Sequence, residues 1–238
     1  MNVQWEAAWQ AVIHHPLFGV AITLAAFQLS YAAYEKTRWV FLQPVLVSML
    51  MVVGVLLACG LGYEDYRLSA QMLTVMLGPA TVALAVPLYL NLRRIRELFG
   101  PIMITLLVGG ITATALGMAL AWAFGADRMV LMTLAPKSVT SPIAMLVAEQ
   151  IGGVVALAAV FVMITGILGA IFGPELLRRF GVQHPAARGM ALGLTAHAVG
   201  TAQALQESEE CGAFAALAMS LMGVATAVFL PLAVSLLV

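Results

Sequence analysis

The sequence predicts an all-α, polytopic transmembrane helical bundle with proline- and glycine-broken or re-entrant segments, and three observations predict it. Hydrophobic residues make up 63% of the 238 and charged residues 9%, against roughly 25% charged in a soluble domain. Of the 22 formal charges, 21 lie in connectors or near segment ends. The stretches between them are continuously apolar and do not alternate, which argues against a closed β-barrel.

Seven runs carry no Asp, Glu, Lys or Arg: Ala7–Tyr34, Trp39–Tyr63, Leu68–Leu92, Leu98–Ala126, Gln150–Pro174, Gly189–Gln206 and Cys211–Val238. Each is about long enough for one crossing, since roughly 20 residues at 1.5 Å span about 30 Å of hydrocarbon. An eighth stretch, Met129–Ala148, holds one charge, Lys137. A single transmembrane domain over residues 1–238, with seven to eight apolar segments, is the expectation. At its N-terminal end, Trp5, Trp9, His14, His15 and Pro16 read as an interfacial segment, because aromatic residues gather at membrane surfaces. No Lys or Arg precedes Lys36, so the N-terminus does not resemble a cleavable signal peptide.

Several functions are disfavoured by composition and motif. Eleven basic residues balance eleven acidic ones, so nothing attracts nucleic acid. No Walker loop, HExxH or Gly-x-Ser-x-Gly occurs, and neither an enzyme nor a cofactor is expected. Cys59 and Cys211 are isolated and read as free thiols, with no metal-ligand spacing.

Basic residues concentrate in cytoplasmic loops. If all eight segments cross, five basic residues fall on each side and no orientation results. If Met129–Ala148 enters and leaves on one face, the split becomes eight against two, with the N-terminus outside. If Leu68–Leu92 is also re-entrant, the best split is seven against three with the N-terminus inside. Both segments carry the means of interruption. Pro136 and Pro142 bracket Lys137-Ser138-Val139-Thr140-Ser141, and Gly78-Pro79 and Pro87 punctuate the other; proline removes a donor and clashes with the preceding turn. Weak internal echoes accompany these breaks. Leu77-x-Pro79-x-x-Val82 recurs as Leu134-x-Pro136-x-x-Val139, and Leu68–Gly110 is echoed by Gly189–Gly223. Connectors of opposite charge would suit inverted repeats.

Two polar clusters are candidates for chemistry. Lys137 is the one charge at membrane depth, and such charges mark pathways or partners. Ser138, Thr140 and Ser141 stand beside it, and a helix beginning after the break would offer an anion site. The alternative roles for Lys137 are snorkelling to the interface or pairing with Glu149. In the second cluster His197 can donate, accept or carry a proton, with Thr201 nearby and Gly200 as a break. The alternative there is a neutral histidine satisfied by a neighbouring helix. No Asp or Glu lies within the apolar core, so a carboxylate relay has little support. Arg188 is an entrance charge or a positive-inside anchor, and Gly169-x-x-x-Gly173 reads as helix packing.

At these residues the sequence resembles the LrgB/CidB family of membrane proteins. The matching strings are Leu42-Gln43-Pro44, Gly78–Tyr89, Pro136–Ala144, Gly166–Ala170, Arg188–Gly193 and His197–Ala202, spread over nearly the whole chain. The resemblance implies two functional stories: a holin/antiholin-like regulator of murein hydrolase activity and lysis, or a transporter of small monocarboxylates of the glycolate, glycerate and pyruvate class. It also implies a separate small LrgA/CidA-type membrane partner, since this chain has no room for that half. The anion site read from the residues agrees with the transporter story. Lys137 would hold a carboxylate, Ser138, Thr140 and Ser141 would orient it, and His197 with Thr201 would bind substrate or a coupling proton in the cytoplasmic (inner) membrane. A homo-oligomer is compatible with this picture.

Overall fold

The structure, a computed structural model, describes residues 2–37, 39 and 42–237, and no strand occurs among them. It divides into two compact units, Met1–Ala83 and Leu84–Val238.

The first unit contains α1 (Asn2–Ile13), α2 (Phe18–Thr37), α3 (Pro44–Cys59), α4 (Tyr63–Ser69) and α5 (Gln71–Ala83). Glu6–Ile13 and Phe18–Thr37 meet at 78°, because Pro16 cannot continue a helix. Helix α3 starts at Pro44, with the Gln43 side chain accepting from the Leu46 amide at 2.8 Å. It stops at Gly60, whose φ of 66° needs no Cβ. Helix α4 folds back on α2: the Gly19 amide donates to Ser69 Oγ at 3.1 Å, and Thr23 Oγ1 meets the Tyr66 hydroxyl at 2.9 Å. A Cβ on Gly19 would lie 2.5 Å from Ser69 Oγ, so only glycine allows this approach.

The second unit runs α6 (Ala85–Leu90), α7 (Leu92–Glu97), α8 (Phe99–Ile104), a π-helical turn (Thr105–Gly109), α9 (Gly110–Ala123), α10 (Arg128–Leu134), α11 (Ser141–Gln150), α12 (Val155–Arg179), α13 (Pro185–Glu207) and α14 (Glu209–Leu237). Phe99–Ala123, Val155–Arg179 and Glu209–Leu236 are each long and apolar enough to cross a membrane, as is Gln71–Leu90 by length and composition; bent pairs raise the number to as many as six. This is a multi-pass, all-helical membrane protein.

Two segments of the second unit do not cross. Helix α13 breaks at His197, whose φ and ψ are 43° and −128°. Arg188 and Glu207 would stand about 28 Å apart on a straight helix, yet they form a bidentate ion pair at 2.8 and 2.9 Å. Residues 185–196 and 198–207 are therefore the arms of a hairpin, each roughly half a bilayer long at about 15–18 Å. This corrects the expectation that Gly189–Gln206 crosses. The interruption also falls at His197 and not at Gly200, which instead packs its bare Cα against the Leu192 carbonyl of the first arm.

The α10–α11 segment is the second hairpin, as expected for Met129–Ala148. Thr133 Oγ1 accepts from the Val154 amide at 2.8 Å, although the two residues would be about 31 Å apart along one helix. Gly153 permits the closure, since a Cβ there would meet Thr133 Cα and N at 2.9 Å. Pro136 sits in the break and Pro142 in the first turn of α11, where proline is tolerated. By contrast, Pro79 lies inside α5 and Pro87 in the first turn of α6, and the interruption falls between them at Leu84.

The hairpins enter from opposite faces. Gly166, Gly169 and Gly173 of α12 pass His197, Ala196 and Leu192 in antiparallel order, which places the α13 hairpin at the end of α12 remote from Val155. The α10–α11 hairpin is closed at the Val154 end. Each hairpin thus follows a spanning helix and re-enters from the face where that helix arrives. The repeated plan is span plus hairpin, over residues 99–150 and 155–207, and not the Leu68–Gly110 and Gly189–Gly223 pair that the short echoes suggested. The hairpins even share a sequence register of 60 residues: Arg128, Leu134, Val139 and Ala144 correspond to Arg188, Leu194, Val199 and Ala204, and Lys137 to His197.

This topology makes a direct prediction for single cysteines introduced into a Cys59→Ala, Cys211→Ala background. Gly125→Cys and Gln150→Cys should react with an impermeant maleimide from one face, and Gly181→Cys and Glu209→Cys from the other. Labelling of Gly125→Cys and Gln150→Cys from different faces would remove the first hairpin.

Candidate functional site

The two breaks place polar groups at the middle of the spanning helices. Lys137 lies against Ala113 and Gly117 of α9, and Ala113 is the fifteenth residue of the Phe99–Ala123 span. His197 lies against Gly166, the twelfth of the 25 residues of α12.

At the first tip the chain turns through residues 135–140. Lys137 Nζ donates to the Ala113 carbonyl at 3.0 Å and to Ser138 Oγ at 3.3 Å. None of the ion pairs among the described residues includes it, so the pairing with Glu149 is not found; Glu149 is exposed. Snorkelling is not found either, because the ammonium binds mid-helix. Ser138 is buried, while Thr140 and Ser141 are half-buried. Thr140 is the extended N-cap of α11, and its hydroxyl makes no cap hydrogen bond. Ser141 opens the helix. The positive end of α11 and the Lys137 ammonium thus lie within a few residues of one another at membrane depth.

At the second tip His197 is 4% exposed. Its Nε2 lies 2.9 Å from the Val162 carbonyl; a carbonyl only accepts, so Nε2 carries the proton and donates. Thr201 Oγ1 donates to the His197 carbonyl at 2.8 Å, the back-bond of a hydroxyl one turn into the returning arm. The backbone at His197 lies in a region that side chains other than glycine rarely adopt, a strain of about 1–3 kcal/mol. Gly200 is in the first turn of the returning arm, whose N-terminus also points to mid-depth.

The structure brings Lys137, Ser138, Thr140 and Ser141 together at one tip and His197 and Thr201 at the other. No hydrogen bond among the described residues joins the tips. What joins them is one apolar cluster containing Val139 from the first tip, Val162 from α12 and Leu194 from the second hairpin. Gly169 and Gly173 pack α12 on the first arm of α13, against Ala196 Cβ and Leu192 Cδ2.

Reading the sequence missed the backbone partners of the two basic tips, Ala113 with Gly117 and Val162 with Gly166. The 60-residue register aligns Lys137 with His197 but not their partners, which only the glycines Gly117 and Gly166 hint at. The role of Arg188 was half seen: it is an anchor, but one that closes a hairpin through Glu207, with side-chain exposures of 17% and 22%. On the same face Arg94 reaches Glu210 at 3.4 Å and His184 at 3.5 Å, and a shallow cleft is lined by Asn91, Arg93, Arg94, Glu97 and Glu210. That cleft is polar but remote from both tips, and we assign it no part in the site.

Comparison with known proteins adds the following. The profile described as the LrgB-like family matches residues 23–236. YxaC of Bacillus subtilis (strain 168) is 36% identical over 215 residues, covering 90% of this chain and 94% of its own. YwbG of the same organism is 36% identical over 205 residues, covering 86% and 91%. A Bacillus mycoides (strain KBAB4) protein named antiholin-like protein LrgB is 30% identical over 218 residues, covering 91% and 95%. No solved structure matches.

The Arg188–Glu207 closure is testable by stability. Glu207→Ala should cost about 1.5–3 kcal/mol, the range for hydrogen bonds to charged groups, read as a lowered Tm in detergent. Arg93→Ala, which removes a pair whose arginine is 95% exposed, should leave Tm nearly unchanged.

Proposed function

The chain belongs to the LrgB-like family, and from that premise and the two opposed tips we propose that it is a secondary transporter or facilitator of small monocarboxylates of the glycolate, glycerate and pyruvate class in the cytoplasmic membrane. The observation that carries this reading is an ammonium held by a backbone carbonyl at mid-helix depth, four residues ahead of a half-helix N-terminus, in apolar segments without Asp or Glu. Helix N-termini and unwound backbone at mid-membrane suit anionic substrates in transporters. Lys137 would exchange its neutral acceptor, the Ala113 carbonyl, for a carboxylate, and charge-assisted bonds are roughly twice as strong as neutral ones. Ser138, Thr140 and Ser141 would orient the anion, and His197 with Thr201 would serve the second tip.

Orientation follows from charge. Arg93, Arg94, Arg96, Arg178, Arg179 and Arg188 belong to one face of the second unit and Arg128 to the other, so the α13 hairpin would open to the cytoplasm. A separate LrgA/CidA-type membrane protein is the partner this reading expects, with self-association compatible.

A second reading is favoured by the name antiholin-like protein LrgB borne by relatives 30% identical to this chain. It is a holin/antiholin-like regulator of murein hydrolase activity and lysis, in which this chain carries no substrate.

Proteoliposome uptake of labelled glycolate and pyruvate, with and without the small partner, separates the two. Wild-type uptake should be saturable, and Lys137→Ala should raise KM or lower uptake by about 10–150-fold, the equivalent of about 1.5–3 kcal/mol for a charged hydrogen bond. Undiminished uptake by Lys137→Ala sinks the lysine assignment. No uptake in any condition favours the regulator, and release of large dyes favours a holin-like pore.

A further inference from the structure

The two basic tips are held in the same way. Lys137 Nζ donates to the carbonyl of Ala113, and four residues further along the same helix stands Gly117. A Cβ on Gly117 would lie 2.7 Å from Lys137 Cε and 3.2 Å from Nζ. His197 Nε2 donates to the carbonyl of Val162, and four residues further along stands Gly166. A Cβ on Gly166 would lie 2.7 Å from both His197 Cε1 and Nε2. In each case the helix is the one that precedes the hairpin in the chain.

The physical reason is shared. A helix carbonyl keeps a second lone pair after its ladder bond, but the side chain one turn later on the same face crowds it. A glycine at that position opens the carbonyl to an outside donor and gives the donor's stem a floor. We infer that Ala113–Gly117 and Val162–Gly166 are two equivalent seats that hold the hairpin tips closed, with Gly117 and Gly166 the positioning residues for Lys137 and His197. Each seat holds the hairpin that re-enters from the face its helix has reached, so the two tips are held independently, one toward each face of the membrane. The displacement of Lys137 from its seat by an anion rests on the transporter reading; the seats themselves do not.

The test is a set of double-mutant cycles read by Tm in detergent, which needs no transport. Gly117→Ala and Gly166→Ala should each lower Tm by roughly 2–10 °C, as overpacking does. The loss from Gly117→Ala should disappear in a Lys137→Ala background, where no stem remains to be displaced. The loss from Gly166→Ala should shrink with His197→Gly, a change that also suits the positive φ, leaving only the tighter contact with Val199 Cγ2 at 3.0 Å. The crossed pairs, Gly117→Ala with His197→Gly and Gly166→Ala with Lys137→Ala, should be additive. Should a glycine variant alone fail to purify as a monodisperse protein, the matched second substitution should restore it, and failure to restore counts against the seat. In the Cys59→Ala, Cys211→Ala background, Gly117→Ala should speed maleimide labelling of Ser138→Cys at least several-fold and leave Ala198→Cys unchanged, with the reverse for Gly166→Ala. Additive matched pairs, coupled crossed pairs, or equal changes at both tips overturn the inference. Failure of uptake with intact matched coupling would overturn only the transporter reading.

Discussion

A helix that stops in the middle of a bilayer leaves amides and carbonyls where no water can satisfy them, and the second unit is built around that constraint. Each unpaired group there costs several kcal/mol, so the tips of both hairpins need partners from the rest of the fold. His197 Nε2 donates to the carbonyl of Val162, which ties the second tip to α12. Thr133, fully buried, binds the amide of Val154 where the first hairpin closes. These bonds demand that backbones lie close, and small residues supply the closeness: Gly189 and Gly193 accept the backbone of Cys211 and Ala215, and Gly153 accepts that of Thr133. In lipid, such van der Waals contact and interhelical hydrogen bonding replace the hydrophobic effect as the source of association.

The same constraint sorts the charges. Arg188 and Glu207 sit at the open end of the α13 hairpin, where headgroups and water reach them, and their pairing fixes the two arms in register. Lys137 is placed differently, because the break gives it a carbonyl and a hydroxyl instead of an acid. Its charge is therefore solvated by dipoles and not cancelled. On the transporter reading, the carboxylate of a substrate would supply the missing counter-charge.

How much of this was legible in the sequence depends on the kind of signal. Pro136 and Pro142 on either side of Lys137 announced the first hairpin, because proline acts locally through its own ring. The second hairpin has no proline between Pro185 and Pro231. Its break is made by a histidine in a glycine-like conformation, which no residue preference points to; the turn is enforced by α12 and α14 packing on both arms. Gly189–Gln206 therefore passed for a crossing helix on length alone. Pro79 and Pro87 misled in the opposite direction, since one sits inside α5 and the other in the first turn of α6, where proline is accommodated. The backbone partners of Lys137 and His197 were invisible, because a carbonyl has no letter in the sequence and only the glycines four residues beyond hint at it.

The two tips are equivalent in position but not in chemistry. The ammonium of Lys137 has three donors and commits two, to Ala113 and Ser138. The imidazole of His197 commits Nε2 to Val162, and its Nδ1 makes no hydrogen bond among the described residues. On the transporter reading, the third donor lets the first tip engage a carboxylate before the bond to Ala113 is exchanged. The neutral second tip offers an acceptor, which suits the hydroxyl of a 2-hydroxy acid or an incoming proton better than a second carboxylate. An arrangement repeated in opposite directions with an amine at one tip and an imidazole at the other presents different chemistry to the two faces of the membrane. On the transporter reading, that difference would let the two tips recognise different parts of one substrate, the carboxylate at the first and the hydroxyl at the second.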